Sequence, residues 1–346
     1  MSLSVLAVID GGYDECLQEV AWRRVAPLSA MTRRTAALVM HSAPALFEQL
    51  GASGVACRAG AGGVPDWSSV RELATFAGKM KADMLYAHGA IAHVLCALTG
   101  PLLGLPVMAH ALSSITLADA QAHALCESCV IVANDFARSQ ALAVGCRNVA
   151  VVATPARRAP SVPRRGRGRV IGWAGTWLDT HGAAAFVRAA SGVAETRRDV
   201  QFRMACPDAG SGVLAALATS PRNLAFAPLT FGADGFAAGV DVFAHTAPSD
   251  ATHVTIVDAL ASGLPVVATS AGGSAELCRV TRRLRLHRAG DEDALVRAIL
   301  AACDDAQAEM PRALTTMEKA AADTLRLMHA FAPSAGRLET EPATTN

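Results

Sequence analysis

The chain has 346 residues, 52% of them apolar and 18% charged, and 31 Lys and Arg stand against 30 Asp and Glu for a formal net charge of +1. That length exceeds one ordinary hydrophobic core and predicts two domains. The apolar content excludes wholesale disorder, and the balanced charge gives no reason to expect a nucleic acid as partner.

Short apolar runs alternate with helix-forming segments from the start. LSVLAVI (3–9), AALVMH (36–41), DMLYAH (83–88), LPVMAH (105–110), CVIVAN (129–134) and NVAVVA (148–153) read as buried strands of a parallel sheet. TPARRAPSVPRRGRGR (154–169) follows, with three prolines, two glycines and six arginines, a composition that makes a linker rather than a core element. Its arginines suit plain solvation, peripheral contact with an acidic membrane surface, or contact with a phosphate. The strand pattern then restarts with RVIGWAG (169–175), VQFRMA (200–205), NLAFAPL (223–229), VDVFAH (240–245), LPVVAT (264–269) and RLRLH (283–287). A last amphipathic helix covers RALTTMEKAAADTLRLMHAF (312–331). The resulting division is a first Rossmann-like domain over 1–153, a linker over 154–168, a second domain over 169–311, a helix over 312–331 crossing back to the first domain, and a tail over 332–346.

Nine cysteines, odd in number and scattered, read as reduced intracellular thiols. His123, Cys126 and Cys129 have metal-ligand spacing but no second pair nearby, which favours packing over a zinc or redox site. His93 and His123 are assigned to helix surfaces. No segment joins a basic flank, an apolar core and a cleavage site, and no apolar run reaches the roughly 18 residues of a membrane span, so a cytoplasmic location is expected.

Ligands of open parallel sheets bind beyond the carboxyl ends of the strands. There the chain reads DVFAHTAPSDATHVTIVDALASGLPVVATSAGGSAEL (241–277). This stretch resembles the nucleotide-sugar signature of the retaining GT-B glycosyltransferases of family 4, in which two glutamates separated by seven residues precede an Ala-x-Gly-x-Pro-Val-Val-Ala-Thr strand and a Gly-Gly-x-x-Glu turn. The Gly11-Gly12 pair after the first strand resembles the family's N-terminal glycine loop, and the strands ending in His88 and His110 resemble its two histidine-ending strands. The resemblance implies two Rossmann-like, doubly wound parallel-sheet domains facing across a cleft. It also implies transfer of a hexose from a nucleotide-diphosphate sugar, with retention and without a metal, to a glycan, lipid-linked or protein acceptor. The leaving phosphate acts as base in such enzymes, so the donor is a substrate and no cofactor is called for.

By this correspondence Asp258 holds the ribose and Asp250 the transferred sugar, both through charge-assisted hydrogen bonds. Backbone N–H groups of His253, Val254 and Thr255 at a helix start face the diphosphate, where the helix dipole favours anions. Gly12, Gly272 and Gly273 let the backbone approach a ligand without a Cβ, and His110 contacts the sugar. The pattern also departs from the family. Thr176 and His181 stand where its members carry an Arg and a Lys against the diphosphate, both carboxylates are shortened from Glu to Asp, and no lysine lies between Lys81 and Lys319. His181 is the replacement cation when protonated. The alternative reading is a weakened GT-B subunit that binds an acceptor or partner protein and supports an active transferase.

Overall fold

The computed structural model describes residues 2–12, 15–112, 115–158, 169–175, 182–206, 221–228, 239–248, 254–304 and 314–332. The first sheet contains β1 (Ser4–Asp10), β2 (Arg34–Met40), β3 (Ala56–Ala59), β4 (Met84–His88), β5 (Val107–His110), β6 (Cys129–Val132) and β7 (Val149–Val151). All are parallel, in the order β3-β2-β1-β4-β5-β6-β7. Its connecting helices are α1 (Glu15–Val25), α2 (Leu28–Met31), α3 (Pro44–Ala52), α4 (Trp67–Met80), α5 (Ala90–Leu103), α6 (Leu117–Cys126) and α7 (Asp135–Ala143). The second sheet contains β8 (Arg169–Ala174), β9 (Val200–Cys206), β10 (Leu224–Pro228), β11 (Val242–His245), β12 (Val266–Thr269) and β13 (Leu284–His287), parallel in the order β10-β9-β8-β11-β12-β13. The helices α8 (Ala183–Thr196), α9 (Val254–Ala261), α10 (Ser274–Leu277) and α11 (Glu292–Asp304) accompany it, and α12 (Met317–Phe331) follows.

The continuous apolar strands form because helices cover both faces of each sheet. On the first sheet Leu6, Val8, Leu85 and Ala87 pack under α4 and α5, while Ala7, Ile9 and Val39 pack under α1 and α3. On the second, Trp173, Phe186, Phe202 and Ile299 join α8 and α11 to one face, and Phe243, Ile256, Leu260 and Val266 join α9 to the other. The edge strand β3 was not legible in the sequence. Its ACRA has no buried residue, so the apolar run that marks the other strands is missing.

Two passages link the sheets. Residues 152–158 leave the first and 314–316 return, and the Ala156 N–H donates to the Thr315 carbonyl at 2.8 Å. After the return, α12 lies on the first sheet, with Ala320, Ala321 and Met328 packed against Met84, Tyr86, Met108 and Ile131. Linker residues 159–168 and the tail from 333 onward lie outside the described residues.

Two histidines differ from the sequence expectation. His93 and His123 are both buried rather than on helix surfaces. His93 Nδ1 is hydrogen-bonded with Asp119 at 3.2 Å and Nε2 with Ser128 Oγ at 2.8 Å. His123 donates through Nδ1 to the Ser128 carbonyl at 2.9 Å and accepts the Arg147 N–H at Nε2 at 2.9 Å. With both nitrogens engaged, His123 joins the end of α6 to the loop before β7. Burial would raise the Asp119 carboxyl, but hydrogen bonds from His93 and Thr116 outweigh it and hold its pKa below the ordinary value. Hydrogen bonding inside the fold, which periodicity does not reveal, is what draws these polar rings inward.

Candidate functional site

The strand order reverses direction between β1 and β4 in the first sheet and between β8 and β11 in the second, which is where open α/β sheets bind ligands. At the first point, β1 ends in Asp10 and turns through Gly11 and Gly12. The Gly11 N–H donates to the Met40 carbonyl at 2.8 Å, and a Cβ on Gly11 would come within 2.5 Å of that same oxygen, so glycine is required. The Gly12 N–H donates to Asp10 Oδ1 at 3.0 Å.

At the second point, β11 leads through Thr246 to α9. Val254 opens that helix and packs with Ile9 and Leu112 of the first domain, so the helix start is seated against the opposite sheet. Thr255 Oγ1 lies 3.2 Å from His245 Nδ1. The first-turn amides of α9 have no intrahelical partner. Asp258, one turn further on, is 7% exposed. Its Oδ2 accepts Nη2 of Arg23 at 2.5 Å and its Oδ1 accepts Nη1 at 2.7 Å and the Arg157 N–H at 2.8 Å. The Asp258 carboxylate is thus gripped by α1 and by the linker.

Glu19 completes the cluster, accepting Arg23 at Nε and Nη2 and Arg157 at Nη1. Two arginines and two carboxylates balance in charge, which makes burial of the group tolerable. Burial alone would lower the Arg23 pKa, but Asp258 and Glu19 more than offset it and hold it above the ordinary arginine value. Burial drives the Asp258 carboxyl the other way, up from the carboxylate range, with Arg23 opposing.

A second contact spans the domains at Glu276. Gly272 takes a positive φ of 56° in the turn before α10, and Gly273 caps that short helix. Glu276 then receives the N–H groups of Asp135 at 3.1 Å and Phe136 at 2.8 Å, while the Asn134 side chain accepts the Ala137 N–H at 2.8 Å. A carboxylate from one domain caps the amino end of α7 in the other, where the helix dipole favours it.

His88 and His110 pair across β4 and β5, and their rings lie 5.5 Å apart. His110 is 1% exposed, and no ring nitrogen of either histidine has a hydrogen-bond partner among the described residues. Burial, with a smaller contribution from Arg24, pushes His88 down to about 3. Burial, then Arg24 and His88, hold His110 well below the ordinary imidazole value. Both rings are therefore neutral at neutral pH. Arg24 is fully buried beside them and donates through Nη2 to the carbonyl of Val152 at 2.6 Å, where the chain leaves the first sheet.

A cavity of about 270 Å³ lies at the carboxyl ends of β11, β12 and β13, lined among others by Gly182, Arg188, Thr246, Thr269, His287 and Glu292. Arg188 stands on its wall, paired with Glu292. Arg169, at the amino end of the central strand β8, lies at the opposite end of the strands from the cavity.

The described part of the site thus brings together Asp258, Val254 and Thr255 on α9, and places Gly12 and His110 on the facing sheet and Gly272 and Gly273 before α10. Asp250, His253, Thr176 and His181 lie outside the described residues. Sequence reasoning missed Arg23 as the partner of Asp258. The available signal was the Arg23-Arg24 pair in the otherwise apolar AWRRV, since neighbouring helical positions point about 100° apart and both arginines are buried. No group of three or more His, Cys, Asp or Glu among the described residues has the geometry to hold a metal ion.

No curated protein matches the sequence. Among solved structures, Anabaena HepE in complex with UDP and glucose superposes with a TM-score of 0.79 at 16% identity, covering 95% of this chain and 100% of that one. Sucrose-phosphate synthase from Thermosynechococcus elongatus gives 0.70 at 13% identity, covering 94% and 98%. A putative UDP-N-acetylglucosamine 2-epimerase from Listeria monocytogenes gives 0.67 at 11% identity, covering 98% and 99%. Residues 168–305 match the family model described as glycosyl transferases group 1. The chain has the GT-B fold, and its second domain carries the sequence pattern of that family.

Proposed function

We propose that the chain is a glycosyltransferase that moves a sugar from a nucleotide-diphosphate sugar to an acceptor hydroxyl with retention of configuration. The observation that carries this reading is the seating of α9. Its first residue, Val254, follows the carboxyl end of β11 and packs with Ile9 and Leu112 of the first domain, and Asp258 one turn on is bound by Arg23 of α1. The family match over 168–305 and the fold shared with a protein solved in complex with UDP-glucose support it. In this reading the α9 amides receive the diphosphate, Asp258 the ribose and Asp250 the sugar, while the expected sugar contact of His110 is not available to a ring that is 1% exposed. His181 supplies the cation against the leaving phosphate, which itself takes the acceptor proton, so the reaction draws on no metal or other cofactor.

A panel of nucleoside diphosphates and their sugars in a thermal-shift assay tests the reading. A true ligand at 100 times its Kd stabilises by about 2.7 kcal/mol. Asp258→Ala then weakens binding of the free diphosphate, whereas Asp250→Ala spares that binding and lowers transfer. Equal effects of both changes on nucleotide affinity would refute the assignments. The second reading, a subunit without transfer activity of its own, is favoured by Thr176 and His181 standing where the family carries Arg and Lys. It becomes the better account if no nucleotide produces a shift.

A further inference from the structure

Arg24 is a buried cation with no anion beside it. It is 0% exposed, and its Nη2 donates to the carbonyls of Val152 at 2.6 Å and Ala153 at 3.3 Å. Its Nε and Nη1 have no hydrogen-bond partner, and no carboxylate pairs with it, among the described residues. The neighbouring Arg23 meets the same burial with two carboxylates, Glu19 and Asp258. An arginine does not shed its proton, so Arg24 cannot escape the cost by becoming neutral. A buried charge left uncompensated is strongly destabilising, and backbone carbonyls supply only partial charges against it.

The polar groups around Arg24 are unpaired as well. Tyr86 Oη, both ring nitrogens of His88 and of His110, and Thr324 Oγ1 are buried with no partner of hydrogen-bonding geometry among the described residues. Tyr86 and His88, two positions apart, project from one face of β4, and His110 pairs with His88 across β5. Thr324 belongs to the buried side of α12, whose Ala320, Ala321 and Met328 pack with Tyr86. The charge of Arg24 acts on Tyr86, His88 and His110 alike, and Thr324 lies beside the Tyr86 hydroxyl. Burial pushes the Tyr86 phenol up to about 12, so it keeps its proton. The cluster therefore offers a guanidinium, two hydroxyls and one N–H from each neutral ring, and it contains no carboxylate. We propose that Arg24, Tyr86, His88, His110 and Thr324 bind one small monovalent anion, with chloride the abundant representative, inside the first domain. Water can answer the hydrogen bonds but leaves the charge, whereas an anion answers both. It cancels the effect of Arg24 on the two rings, and burial, the larger cause, still holds them neutral. The ion ties α1 to β4, β5 and α12 whether or not the chain transfers a sugar.

Thermal unfolding of the full chain in increasing sodium chloride, with sodium gluconate holding the ionic strength constant, tests the site. Above the Kd, each tenfold rise in chloride should raise the folding equilibrium constant about tenfold, so the melting temperature climbs with the logarithm of chloride. Arg24→Met keeps an unbranched side chain of similar reach without the charge, and its melting temperature should not climb. A wild-type response no larger than that of Arg24→Met overturns the proposal. Diffraction from wild-type crystals grown in bromide needs no variant and covers the case in which Arg24→Met does not fold. An anomalous peak within hydrogen-bonding reach of Arg24 Nη1 supports the anion. Density there without anomalous signal identifies water and overturns it, as does bromide found only elsewhere on the protein. Neither measurement reads sugar transfer, so its failure leaves the proposed activity standing.

Discussion

His88 and His110 carry the clearest residue-scale consequence. The native protein keeps both rings neutral, whereas an unfolded chain protonates them near the reference pKa of about 6.5. Below that pH the unfolded state binds more protons than the native state, so stability is full above it and falls as pH drops towards the His88 value of about 3. The slope reaches about 1.4 kcal/mol per pH unit for each ring. Urea unfolding at pH 7, 6 and 5 should show this loss, and His88→Phe should remove about half of the slope those rings contribute. Identical slopes in the two proteins would contradict the neutral-ring assignment. The sequence placed both histidines at strand ends, yet it did not reveal that they are buried, with Arg24 of α1 buried beside them. That burial comes from residues far away in the chain.

At the scale of elements, the amino end of α8 depends on one close approach. Gly182 caps that helix with φ 74°, and a Cβ there would fall on the Thr246 carbonyl oxygen. Thr246 Oγ1 in turn donates to the Gly182 carbonyl at 2.7 Å and accepts Trp173 Nε1 at 3.0 Å. The start of α8, the end of β11 and the core of the second sheet are thereby fixed to one another beside the cavity. Gly182→Ala combines a left-handed backbone penalty with a backbone clash and should cost about 3 kcal/mol. Calorimetry is the check, and a melting temperature equal to wild type would show that the contact is absent in solution. The partner that forbids a side chain there lies 64 residues away.

The whole molecule is held by α12 as well as by the Arg23–Asp258 pair. This helix follows the second domain in sequence but packs on the first sheet, where Met328 is fully buried with Met84, Tyr86 and Ile131. Met328→Ala should cost about 2–5 kcal/mol through lost burial and a residual cavity. Because the cavity lies in the first domain's core, hydrogen exchange should lose protection chiefly in β4, β5 and β6. Loss confined to α12 itself would mean that the helix does not support that core. Among the described residues no helix is long and apolar enough to cross a membrane.

Local sequence determined the strands, because a buried parallel strand must be apolar along its length, and it determined the glycine turns, because close backbone approach excludes a Cβ. It also marked Asp258 as a carboxylate on a helix at the ligand edge. Only the tertiary structure decided what that carboxylate holds. Arg23 and Asp258 are 235 positions apart, and Glu276 caps a helix 140 and 141 positions before it. Periodicity reports which side of an element is buried, a property of near neighbours in the chain. Which charge meets which across a domain boundary depends on how two complete sheets are set against each other, and no short stretch of residues encodes that alone.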